Sequence, residues 1–191
     1  MKKLIIILCL CLFAQQNDSL LQQANALKES CDKDYESFVD AFPSTYTNFL
    51  DLFGFDYNTG GHVLYDNSSR YISFFFSDKR VLEHKNLDKI LGISYGFRWD
   101  ADAPNYLIHH TLELSTKYPE EIISFLNEKP EDDRISFFKL CLTCLYPDHP
   151  YYLKDYHSLL QLYESYSSEY GELIKKAFKL AAEDSKTLVI G

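Results

Sequence analysis

Three prolines, Pro104, Pro119 and Pro130, each head a segment whose apolar residues recur every three or four positions: "PNYLIHHTLELSTK", "PEEIISFLNE" and "PEDDRISFFKLCLTCLY". Proline loses no hydrogen bond in the first helical turn, and acids just behind it meet the positive end of the helix dipole. A residue that starts helices, repeated at such short intervals, limits the chain to short helices with tight connections. Such helices pack as antiparallel neighbours in an array or bundle. No segment resembles another closely enough to define a repeat unit.

The rest of the chain carries the same spacing. "SLLQQANALKESCDKDYESFVDAF" places Leu20, Leu27, Cys31, Tyr35, Phe38 and Phe42 on one helical stripe that ends at Pro43. "STYTNFLDLF" follows, with Ser44 as N-cap and Gly54 as stop. Residues 55–64, "FDYNTGGHVL", read as a loop, since Asn-Thr-Gly-Gly supplies turn chemistry. A helix begins at Asp66 or Asn67. Its Phe74-Phe75-Phe76 run also fits a short buried strand, and periodicity alone leaves both open. Gly92 closes "NLDKILG". Last comes a stripe of Tyr152, Tyr156, Leu159, Tyr163, Tyr166, Tyr170, Leu173, Ala177 and Leu180, which Ser167-Ser168 and Gly171 divide into two helices. The expected class is all-α, a single domain over 15–191 whose folded part runs from about Ser19 to Asp184.

Residues 1–14 read as a cleaved signal peptide. Lys2 and Lys3 form the basic region, Leu4 to Phe13 the apolar run, and Ala14 the small residue before Gln15. The run is too short to span a bilayer as a helix. Cys9 and Cys11 each follow a bulky Leu, which disfavours a lipoprotein. The expected location is periplasmic or secreted. Cleavage removes two lysines from a chain of formal charge −9, leaving 17 basic residues against 28 acidic ones and a charge of −11. Binding to nucleic acid or to an anionic membrane surface needs basic clusters, and only Lys175-Lys176 approaches one. A basic protein partner fits the charge better. Three cysteines remain in the mature chain, Cys31, Cys141 and Cys144, so at most one internal bridge forms and the core must hold the fold.

One stretch concentrates chemistry-bearing side chains: "SYGFRWDADAPNYLIHH", residues 94–110. Adjacent residues on a helix point about 100° apart, so His109 and His110 do not readily share one ion. Capping by Asp100 or Asp102, with Trp99 packed at the helix entrance, accounts for the stretch more simply. "CLTC", Cys141 to Cys144, has redox spacing but lies deep in an apolar helix, where thiols are inert. Alternative roles are zinc binding by Cys141, Cys144, His149 and His157, or a bridge from Cys31 to one of the pair. Glu131-Asp132-Asp133 reads as helix-dipole charge rather than a cation site. No G-x-S-x-G, no S-x-x-K in a plausible setting, no phosphate loop and no dinucleotide fingerprint is present. No cofactor is expected.

Fifteen tyrosines in one chain suit half-wet surfaces. Tyr152, Tyr156, Tyr163, Tyr166 and Tyr170, with Trp99, are the candidates for holding a partner, although apolar helical stripes more often face a core. The expected function is non-catalytic binding of another protein. Alternatives are a cell-wall or glycan hydrolase using Asp100, Asp102, His109 and His110, and a helical scaffold.

"LFAQQ" before an aromatic-rich helical domain, together with "AFPSTYTNFLDLFGFD" and "ISYGFRWDADAPNYL", resembles one uncharacterised family of small exported proteins of Gram-negative bacteria. The resemblance implies an exported helical domain and carries over no functional residue. As a class, acidic helical periplasmic proteins of this size are also similar to immunity proteins that neutralise secreted antibacterial toxins.

Overall fold

The computed structural model describes residues 18–99, 102–144 and 146–189. The leader at 1–14, with Cys9 and Cys11, and the capping candidate Asp100 lie outside the described residues. Among the described residues, ten α-helices and one minimal hairpin build the fold. They are α1 (18–30), α2 (Tyr35–Ala41), α3 (Tyr46–Phe53), the antiparallel strands β1 (Phe55–Asp56) and β2 (Gly60–Gly61), α4 (Ser68–Phe75) and α5 (His84–Ser94). Then follow α6 (Asp102–Lys117), α7 (Pro119–Asn127), α8 (Glu131–Leu142), α9 (Pro150–Glu164) and α10 (Ser168–Val189). The class is all-α. None of the described helices is long and apolar enough to cross a membrane.

Helix starts follow the proline rule. Pro104 sits in the first turn of α6, Pro119 opens α7, and Pro130 is the N-cap of α8, whose first turn carries Glu131, Asp132 and Asp133. Pro150 opens α9 in the same way.

Other boundaries depart from expectation, each for a local reason. The first stripe is cut into two helices, because Asp32 takes a left-handed φ of 63° and Asp34 caps α2. The Asp34 carboxylate accepts the Ser37 N–H at 3.2 Å and the Ser37 hydroxyl at 2.5 Å. The stripe still points inward across the break, with Leu27, Cys31, Tyr35, Phe38 and Phe42 all buried. Thr45, not Ser44, caps α3; its hydroxyl oxygen accepts the Asn48 N–H at 3.3 Å. Residues 55–64 hold a hairpin rather than a plain loop. Asp56 accepts the N–H groups of Asn58 and Thr59, and Gly60 turns the chain at a φ of 91°. Phe74 to Phe76 are helical or helix-capping, and Tyr71, Ile72 and Phe75 form the buried face of α4. α5 runs on through Gly92 to Ser94. A Cβ on Gly92 would meet the Ser44 carbonyl oxygen at 2.2 Å, so this glycine lets α5 lie against the α2–α3 turn. Of the predicted division of the last stripe, only the break before Ser168 is present; Gly171 lies inside α10.

Packing divides into two groups of helices around one continuous core. In the first, α2 meets α4 and α3 meets α5 around phenylalanines, with Phe42 and Phe75 stacked at 4.1 Å and Phe38 edge-on to Phe74 at 4.8 Å. In the second, α8 lies centrally and packs on α10, α6 and α9. Contacts of α4 with α6 and of α5 with α8 join the groups. α6 therefore has a side turned to α4, a side turned to α8, and a side that borders α9 without covering.

Candidate binding groove

α6 carries His109 and His110 toward different surroundings. His110 turns to α4. Its ring stacks on Phe76 at 5.2 Å, and its Nε2 lies 3.0 Å from Ser73 Oγ. Burial, with His109 beside it, holds the His110 pKa below its ordinary value. His109 turns the other way, into a groove between α6, the segment following α8 and the start of α9.

That groove has a volume of about 340 Å³ and is walled by Trp99, His109, Tyr146, Tyr151, Tyr152 and Asp155. A shallower recess of about 230 Å³ continues it along α6 and α9, past Thr116 and Ser158. The local sequence explains the wall. Starting α9 at Pro150 places Tyr151 and Tyr152 in its first turn. Asp155 follows one turn later, on the face of Tyr151. The His149 ring caps this helix, accepting the Tyr151 N–H on Nδ1 at 3.3 Å. Opposite, Trp99 donates its indole N–H to Asn105 Oδ1 at 2.8 Å, which pins the ring on the first turn of α6. Tyr146 and Tyr151 are exposed, while Tyr152 and Asp155 are half-buried. Partial burial raises the pKa of the Asp155 carboxyl, opposed by nearby Lys154 and His109.

The cysteine pair forms the floor. Cys141 and Cys144 are free and buried, as is Cys31. Burial pushes Cys141 up to about 12 and Cys144 up to about 11. Such thiols stay protonated at neutral pH and make poor nucleophiles. His149 is occupied as a helix cap and His157 lies against Tyr156, with ring centres 5.1 Å apart. Among the described residues no group of three or more His, Cys, Asp and Glu is placed to hold a metal ion.

Among the described residues, the acid–base candidates Asp102, His109 and His110 do not line one recess. Asp102 is the first residue of α6 and accepts the Tyr65 hydroxyl at 2.7 Å. His110 faces α4, and of the described candidates only His109 faces the groove.

The tyrosine stripe splits. Tyr163 is fully buried and donates to the Ser115 carbonyl at 3.1 Å, one of the last four carbonyls of α6, which have no helical partner. Tyr170 is buried, and its one hydroxyl proton is shared between the Ile123 carbonyl at 3.2 Å and Asn127 Oδ1 at 3.0 Å. Tyr156 stacks on Phe178 at 4.1 Å. These three fasten helices together. Tyr166 is exposed at the α9–α10 turn, and only Tyr152 and Trp99 of the six candidates meet at the groove. Tyr146, Tyr151 and Asp155 are wall residues that sequence reasoning passed over. Their one visible signal is Pro150, which fixes the register of α9.

Comparison of the chain with protein-family models, with curated proteins and with solved structures yields no match.

Proposed function

We propose that the chain is an exported, non-catalytic domain that binds another protein through the groove beside α6, as an inhibitor or immunity factor does. The observation that carries this reading is the wall itself. Four aromatic rings, two of them on exposed residues, surround one open depression, an arrangement that supplies the anchors of protein interfaces. The formal charge of −9 favours a basic partner by steering its approach. Dispersal of Asp102, His109 and His110 over different surroundings speaks against the hydrolase reading, and export rests on residues 1–14.

Crosslinking in the host, followed by purification, tests the reading. One basic protein at one-to-one stoichiometry, lost at high salt, is the expected result. Recovery of self-contacts alone turns the assignment to a scaffold. Turnover of a glycan or peptide that disappears in His109→Ala with the fold intact turns it to an enzyme.

A further inference from the structure

We infer that the groove corner formed by Trp99, Tyr146, Tyr151, Tyr152 and Asp155 is a seat for one arginine side chain of a partner protein. This specifies the chemistry of the surface proposed above and rests on that reading. Tyr151 and Tyr152 meet edge to face, with ring centres 5.5 Å apart and planes at 85°, so each ring braces the other beside the groove. An aromatic face turned to the groove attracts a cation through its quadrupole. Trp99 lines the same groove in an orientation already held by Asn105, so little rotamer freedom is lost when a guest arrives.

Asp155 supplies the charge. It is half-buried one turn beyond Tyr151, where burial makes the ionised carboxylate costly while the seat is empty. A guest cation offsets that cost. A planar guanidinium also matches the carboxylate through two parallel hydrogen bonds and stacks on a ring, which a lysine ammonium does not. The bases facing this carboxylate are His109 and Lys154. Lys154 is exposed, where solvent screens its competition. A volume of about 340 Å³ is at the low end of ligand cavities and suits one long side chain rather than a helix.

Trp99 is the only tryptophan, so its fluorescence reports this corner directly. The protein is titrated with a capped Gly-Arg-Gly peptide, with its lysine and citrulline counterparts, with tetramethylammonium chloride and with a neutral chitotriose. A saturable emission change is expected with the arginine peptide, weakened about tenfold or more in Asp155→Asn, because the charge-assisted pair of hydrogen bonds is lost. Tyr151→Ala, on an exposed ring, should weaken it as well without disturbing the fold by circular dichroism. Citrulline or chitotriose binding as well as arginine overturns the cation seat. Equal response to the lysine peptide or to tetramethylammonium overturns the arginine assignment, and so does no response at all. Crosslinking separates the two levels. A partner captured equally by wild type and Asp155→Asn sinks the seat but keeps the binding protein. Arginine-peptide binding with no partner in the host sinks the binding protein and keeps the seat.

Discussion

His109 and His110 are neighbours in the chain with ring centres 5.6 Å apart, yet each lines a different recess of the surface. His110 is half-buried against α4, stacked on Phe76 and within reach of Ser73, with its side chain 22% exposed at the edge of a small recess. His109 opens onto a groove whose other walls come from distant parts of the chain. The difference teaches how one helix serves two purposes. Its α4 and α8 sides are sealed by burial of Leu107 and Leu114 and of Thr111 and Ser115, whose hydroxyls donate back to carbonyls of the same helix, and therefore hold the fold. Its α9 side is left uncovered, and what stands there is free to meet another molecule.

Breaking this comparison requires substitutions matched across the two sides. Leu107→Ala, at a fully buried position, should lower the unfolding free energy by about 2–5 kcal/mol in urea titration. Leu112→Ala, at the groove, should cost about 1 kcal/mol or less. Equal losses would erase the distinction. Next in size is Tyr163→Phe, which strands the Ser115 carbonyl in the core and should cost about 1–3 kcal/mol. Tyr166→Phe, on the exposed end of the same stripe, should stay within about 0.5 kcal/mol.

A smaller effect comes from acid. The unfolded chain protonates His110 near the ordinary value of 6.5, while the folded chain does so only at lower pH. Between those values the unfolded state binds more protons, so stability falls as pH falls, and the loss levels off below the folded value. Melting temperature followed from neutral to mildly acidic pH should drop less in His110→Gln than in wild type. Identical slopes would mean that burial against α4 does not govern His110. The smallest effect is expected from Tyr151→Ala, which should leave the melting temperature within a degree or two, since the ring is exposed. A large drop would mean that the groove wall is structural.

Most helices were legible because their signals are local: a proline at the start and apolar residues every three or four positions thereafter. Phe74 to Phe76 needed the context of α6 to choose helix over strand, since three adjacent phenylalanines satisfy either period. The break at Cys31–Asp34 was hidden because Asp32 takes a left-handed φ without a glycine to mark it. Gly92 misled in the opposite sense, because its lack of a side chain answers a neighbour at Ser44 far away in sequence. The groove was the least legible part. Trp99, His109, Tyr146 and Asp155 come from three stretches, and no spacing within one stretch announces that the others will stand opposite. The tyrosine stripe was read correctly as a helical face, yet burial selects among its members: Tyr163 and Tyr170 went inward, and Tyr166 stayed out.

The buried thiols give the fold a chemical duty as well as a mechanical one. Cys31, Cys141 and Cys144 are each withheld from solvent. In the oxidising space proposed for the chain, an unfolded copy would expose all three, and an odd number of thiols always leaves one to crosslink with a neighbouring molecule. Unfolding there stops being a reversible equilibrium and becomes a one-way loss. The quantity that then governs survival is the lifetime of the closed state, not its free energy.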